Sequence, residues 1–394
     1  METFDGGPSI PFLGSDDVGF DDGAIELDGN FDAGVQDAAR PDANVSRPSR
    51  FPYAPRNFNP STLQPQGNVV INCAAEIRVR GATAQLTWCR GSDEPTVYSA
   101  NNETAILAMY SFTITSSGSL TILGPTPVIF AVFGSVELYG PIRSNHNAQK
   151  PSAPLGCMGG AGENGSNDGN GGGGGGSFGA SGGPGGTTLG TGGAGGQDIR
   201  DALVPILAGC PGGNGGFVGD QAGGLGGAGG GALQISAAQR FFISSIISAN
   251  GQGGQGGPGD SGGGGGGSGG GILIEADEVS LVEGTFLTAN GGAGGGGSAH
   301  DATGIDGQDG QENSGVPAEG GLGGSQEVYG GPGGAWTSWE GQAGGGSTQG
   351  IGGGGGGGSV GLILIYASTN CVIDGAPRFS PWPPTECPGP YPYR

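Results

Sequence analysis

Glycine gathers in this chain into three blocks, roughly 158–231, 251–271 and 291–360, and no ordinary helix or strand tolerates so much of it. Glycine loses more conformational freedom on folding than any other residue, so an ordered block needs dense backbone pairing to offset that loss. Parts of the blocks run with a period of three: Gly212-Gly-Asn-Gly-Gly-Phe217, Gly223-Gly-Leu-Gly-Gly-Ala228 and Gly253-Gly-Gln-Gly-Gly-Pro258. That period suits an extended helix of polyproline-II type, which has three residues per turn and no hydrogen bonds of its own. Glycine on two of its three faces lets neighbouring helices pair backbone to backbone, while the third face carries the side chain. Two readings stand side by side, a packed sheaf of such polyglycine-II helices or flexible linker. Collagen is excluded, because a strict Gly-X-Y period with abundant proline is missing.

Between the blocks the chain reads as β. Ile77-Arg-Val-Arg80 and Leu86-Thr-Trp88 alternate with period two, and Leu120–Ile122, Val128–Phe133 and Val136–Tyr139 continue the pattern. Gly118, Gly124-Pro125, Gly134 and Gly140-Pro141 punctuate it into short strands. No stretch holds a helical period; residues 198–208 come nearest, and Pro205 breaks them. A repeat follows. One unit runs from Gly231-Ala-Leu-Gln-Ile235 to Ala249-Asn-Gly251, and the next from Gly271-Ile-Leu-Ile274 to Ala289-Asn-Gly291. A related ending stands at Ser144-Asn145, and Gly361-Leu-Ile-Leu-Ile365 closes the series.

One such unit cannot bury its own apolar face, whereas stacked units can. The predicted fold is therefore all-β, a parallel β-helix or solenoid with long glycine-rich insertions. Leu233, Ile235, Ile272, Ile274, Ile363 and Ile365 stack inward, and Asn145, Asn250 and Asn290 form a corner ladder. The predicted organisation is a disordered acidic leader over 1–50, N-terminal β-coils over 51–150, glycine-interrupted repeats over 151–376 and a Pro-rich tail over 377–394.

Charge and cysteine usage narrow the function. A formal net charge of −22 with a single lysine, Lys150, excludes the Lys/Arg clusters that nucleic acid requires and disfavours an anionic membrane. No apolar run reaches the roughly 20 residues of a transmembrane helix. The six cysteines fall into local pairs, Cys73 with Cys89, Cys157 with Cys210 and Cys371 with Cys387, with no CxxC among them. Three structural disulfides place the protein in an oxidising compartment, extracellular or at the cell surface. Met1–Gly14 has neither the basic nor the apolar region of a signal peptide, so export rests on an upstream segment or another route.

Catalytic chemistry is not legible. His146 and His300 lie far apart in polar surroundings, and the strand acids Glu137, Glu275 and Glu283 read as isolated, so no enzyme is expected. Asp306 and Asp309 supply turn carboxylates for calcium, but neither the EF-hand nor the nonapeptide spacing is matched. Phe178, Phe217, Tyr329, Trp336 and Trp339 sit within or beside the glycine blocks. Of these, Trp336, Trp339 and Tyr329 are the candidate ligand contacts, to a glycan or a cell-surface partner.

The strands of type Gly-Gly-Gly-Ile-Leu-Ile-Glu-Ala, the Leu-Thr-Ala-Asn-Gly-Gly ending and the glycine run entering Leu-Ile-Leu-Ile-Tyr resemble the Gly-rich β-helical regions of bacterial surface proteins. The resemblance covers residues 115–376 and implies an extracellular structural or adhesive role, with the chain itself as an assembly partner. A weaker resemblance is to phage tail-fibre adhesins with packed polyglycine helices, which implies a receptor-binding tip. A β-helix carbohydrate enzyme is the remotest alternative.

Overall fold

The computed structural model describes residues 50–80, 83–100, 104–145, 157–164, 170–199, 203–217, 222–300, 302–312, 315–336, 338–348, 351–382 and 385–386. The acidic leader, Lys150, His146 and Cys387 lie outside them. Among the described residues strands are the main regular structure, no α-helix occurs, and one 3-10 turn stands at Pro60–Thr62.

The chain first lays down β1 (Asn68–Ile71) and β2 (Ala74–Arg80), with β3 (Thr83–Thr87) folded back antiparallel on β2. Next come β4 (Thr96–Ala100), antiparallel to β5 (Thr104–Met109), then β6 (Ser111–Ile114) and β7 (Ser119–Leu123). β8 (Val128–Val132), β9 (Val136–Leu138) and β10 (Ile142–Asn145) make the following pass. After the first glycine block come β11 (Ala232–Ile243) and β12 (Ile246–Ser248), and after the second, β13 (Gly271–Leu281) and β14 (Phe286–Thr288). The third block leads into β15 (Leu362–Ile373), β16 (Arg378–Ser380) and β17 (Thr385–Glu386).

These strands form two curled mixed sheets in which every pairing except β2–β3 and β4–β5 is parallel. Register repeats from pass to pass. Leu107, Phe130, Ile235, Ile274 and Ile365 stand side by side in one sheet, as do Leu120, Ile142, Ile247, Leu287 and Phe379 in the other. Both rows point into one continuous core, and the six expected inward residues, Leu233, Ile235, Ile272, Ile274, Ile363 and Ile365, are all 0% exposed there. Burying each such side chain contributes about 1.5–3 kcal/mol.

The outer face of the larger sheet is also buried where β5, β8 and the first halves of β11, β13 and β15 lie side by side. Ile106, Ile129, Leu273 and Leu364 alternate with the inward row and form a second core with Leu203 and Ile206. Phe51, Phe58 and Leu63, on a strap ahead of β1, pack against it.

At the N-terminal end β3 and β4 are the outermost strands beside β2 and β5, and two outward amides of β1 are capped by side chains, Asn68 N–H donating to Asp93 Oδ2 (2.8 Å) and Val70 N–H to Ser92 Oγ (3.0 Å). Capping of this kind takes β1 out of pairing with another chain. Disulfides join Cys73 to Cys89 and Cys157 to Cys210; Cys371 is disulfide-bonded, and its expected partner Cys387 lies outside the described residues.

Candidate functional site

The glycine blocks are the most distinctive region, and their backbone bonding has a definite geometry. Through 262–270 successive amides turn to three different neighbours. Gly262, Gly265 and Ser268 donate to Gly216, Gly213 and Cys210; Gly263, Gly266 and Gly269 to Gly353, Gly356 and Ser359; Gly264, Gly267 and Gly270 to Gln255, Gln252 and Ala249, all at 2.7–3.0 Å. The carbonyls of the same segment accept from three further segments, through Gly173 and Gly176, Gly224 and Gly227, and Gly292 and Gly295. Backbone therefore surrounds this segment on every side, and no linker is bonded in this way.

The segments 170–177, 291–297 and 352–360 are surrounded in the same manner. All four inner segments hold near-unbroken glycine, Gly171–Gly176, Gly262–Gly267, Gly352–Gly358 and Gly291–Gly297 with Ala293 as its one interruption, and all are buried. The Gly-Gly-X stretches lie at the rim instead, with Asn214, Phe217, Leu225 and Gln255 exposed. Both kinds of stretch share the same glycine-rich composition in the sequence. The signal was present: a run without X marks a segment with no open side.

Rim amides that face outward find side-chain acceptors. Asp309 Oδ1 accepts from Gly253 N–H and Asp306 Oδ1 from Gly256 N–H, both at 2.8 Å, and Asn214 Oδ1 accepts from Gly226 N–H at 2.9 Å. The two expected calcium ligands thus bond backbone, and among the described residues no group of three or more His, Cys, Asp or Glu is arranged to hold a metal. The corner asparagines share a register position: β10 pairs β12 and β12 pairs β14 two residues before Asn145, Asn250 and Asn290. Asn250 Oδ1 accepts from the Asn290 backbone N–H (2.8 Å), while Asn290 turns its own amide to Gln311 O (2.7 Å). The side chain of Asn145 lies outside the described set.

Trp336, Trp339 and Tyr329 are 49%, 43% and 49% exposed. Their backbones are fixed: Trp339 O accepts from Val360 N–H of an inner segment, Tyr329 O accepts from Gly345 N–H, and Trp336 sits in a turn closed by the Ala335–Ser338 bridge. Phe178, grouped with them in the sequence, is instead 2% exposed, because the chain carries it into the second core beside Leu203 and Ile206. His300 is exposed in a left-handed turn.

Glu275 is not isolated. At 1% exposure it accepts from Ser236 Oγ (2.8 Å), Gln234 Nε2 (3.0 Å), Arg56 N–H (3.2 Å) and Arg56 Nη1 (3.1 Å). Burial pushes its carboxyl up, and the Ser236 and Arg56 contacts pull it back part of the way. The Arg56 guanidinium lies 3.4 Å over the Tyr366 ring, and Tyr53 Oη donates to Ala237 O (2.9 Å), so these contacts pin the strap to the sheet. No protein-family model, curated protein or solved structure matches this chain.

Proposed function

We propose that the chain is an extracellular or cell-surface structural protein, a parallel β-helix whose coils anchor a sheaf of polyglycine-II-type helices and display the sheaf's outer side chains and turns. The observation that carries this reading is the three-way rotation of hydrogen bonds through 262–270, which fits a helix of three residues per turn without internal bonds. In-register parallel pairing of successive passes supports the coil, and buried disulfides are compatible with export. A rigid scaffold that fixes the backbone of exposed turns is the usual setting for binding loops. The capped amides of β1 disfavour growth of a filament by strand addition at β1.

Antibody labelling of intact producing cells tests the location, and labelling that appears only after permeabilisation would end the surface assignment. Hydrogen exchange on the full chain tests the architecture: amides 262–267 and 352–358 should be protected like those of β13, and exchange at linker rates would remove the sheaf.

The exposure of Trp336, Trp339 and Tyr329 favours one second reading, an adhesin that stacks these rings on glycan. On that reading Trp336→Ala with Trp339→Ala abolishes binding on a glycan array and leaves the melting temperature unchanged. A wild-type chain that binds no glycan or cell surface would dispose of it.

A further inference from the structure

The glycine array contains four Asn-Gly pairs whose two residues are both described: Asn170-Gly171, Asn214-Gly215, Asn250-Gly251 and Asn290-Gly291. In such a pair the glycine nitrogen attacks the asparagine side chain with little hindrance, because glycine adds no side chain of its own. A bond forms between that nitrogen and Cγ, and the Cγ–Nδ2 bond breaks. Ammonia departs with the proton the nitrogen carried. Water then opens the five-membered imide to Asp or isoAsp. Two freedoms are needed: the glycine N–H must leave its acceptor, and the side chain must swing onto the backbone.

The array restricts both freedoms, but unequally. Gly171, Gly215, Gly251 and Gly291 donate to Glu163 O, Gly224 O, Asn290 O and Gly334 O at 3.0, 2.9, 2.8 and 2.9 Å. Asn290 is 0% exposed and held at both ends, its Nδ2 donating to Gln311 O (2.7 Å) and its Oδ1 accepting from Ser380 Oγ (2.6 Å). Asn170 is 0% exposed, with Nδ2 bonded to Asp260 O (2.9 Å). Asn250 is half-buried, and its Oδ1 is tied to Asn290 N–H (2.8 Å). Asn214 differs from these three. Its side chain is exposed, it stands on a rim segment, and its Oδ1 accepts from Gly226 N–H of the adjoining rim segment (2.9 Å).

We propose that, among the four described Asn-Gly pairs, Asn214 is the deamidation site of the folded protein and that the array shields Asn170, Asn250 and Asn290. Conversion to Asp leaves an oxygen to accept from Gly226. Conversion to isoAsp adds a methylene to the main chain, which moves Gly215 and Gly216 out of step with Gly224 and Gly171, their present acceptors. The rim opens there, while the inner segments keep their register.

The test is peptide mapping of full-length protein held at mildly alkaline pH, with enzymatic methylation to mark isoAsp, beside a reduced sample in denaturant. A reaction that needs local opening follows the opened population, so Asn170 and Asn290 should convert about 100-fold more slowly when folded than when denatured. Asn214 should stay within about tenfold of its denatured rate, as expected for a low-stability rim. Hydrogen exchange should show Gly215 only weakly protected, by about tenfold or less, in the unmodified chain and in Asn214→Asp, and both Gly215 and Gly216 without protection in the isoAsp fraction. The proposal is overturned if Asn214 converts no faster than Asn290 in the folded chain, or if the shielded pairs convert at their denatured rates.

Discussion

At Gly265 a methyl group would fall on the Gly174 carbonyl, and at Gly263 and Gly264 on the carbonyls of Gly295 and Leu225. Three consecutive residues thus meet three different segments, each at a separation that real Cβ atoms do not adopt. Gly265→Ala should therefore cost about 1–3 kcal/mol through overpacking, with more lost as the bonds to Gly213 and from Gly227 lengthen. Leu225→Ala, at an exposed X position, should stay within about 0.5 kcal/mol. Thermal melts of the two variants check the ranking, and equal losses would remove the distinction between inner and rim positions. The strap offers a second comparison. Arg56→Ala leaves Glu275 buried beside only neutral partners and should destabilise by about 2–4 kcal/mol, whereas Glu275→Gln keeps the shape without the charge and should cost less. Because burial raises the Glu275 pKa on folding, the folded chain holds that proton more tightly than the unfolded one. Its contribution is therefore most favourable at acid pH and declines as pH climbs from the ordinary carboxylate range through the raised folded value. Chemical denaturation across that window should show the decline in wild type and a flatter profile in Glu275→Gln; identical profiles would mean that Glu275 is ionised at no extra cost.

A glycine segment taken alone is a poor candidate for order. Fixing each residue costs about 1–2 kcal/mol of backbone entropy, while a hydrogen bond contributes a net of about 0.5–1.5 kcal/mol. Even the inner segments, donating and accepting at each residue, come out near balance, so order has to be fastened from outside. Strands do this where 262–270 runs straight into β13, and the Cys157–Cys210 disulfide does it for the first block, both sulfurs fully buried. Replacing both cysteines by serine should remove about 3–4 kcal/mol on the loop-entropy model. Exchange should rise first at Gly159–Gly162 and Gly212–Gly216, with β13 still protected; unchanged protection at the first block would show that its hydrogen bonds suffice. The same balance explains what the sequence could disclose. Strands announced themselves through local alternation, as in Ile77–Arg80, and the repeat through its two Ala-Asn-Gly endings. A Gly-Gly-X period is equally compatible with linker and sheaf, because the deciding partners of Gly265 are Gly213 and Gly227 in other segments. Arg56 and Glu275, 219 positions apart, carry no local sign of each other, and the glycine neighbours of Phe178 say nothing about the second core that covers it.

Over the whole molecule, the stacked sheets and the glycine array are made from the same stretches of chain. Gly231 leads into β11, Gly270 into β13 and Gly361 into β15, while the ends of β12 and β14 pass directly into glycine segments. At these junctions the bonding partners carry on without a break: Gly270 N–H donates to Ala249 O, Gly361 N–H to Ala289 O, and one residue later the sheet register of β13 with β15 begins. A defect in the array is then a defect at the start of a strand, and the strands are stacked so closely in register that each shares its loss with the next. This makes cooperativity the property that separates an integral array from a decoration. If the two parts fold as one unit, Gly265→Ala should lower protection not only at 262–267 but also through Ile272–Ala276, and a single calorimetric transition should move to lower temperature as a whole. If the array is an independent layer, the variant should split the melt, with an early transition for glycine and an unshifted one for the sheets. Hydrogen exchange and calorimetry on the same variant distinguish these outcomes. The shared strands predict the single transition, since no residue lies between Gly270 and β13 to act as a hinge.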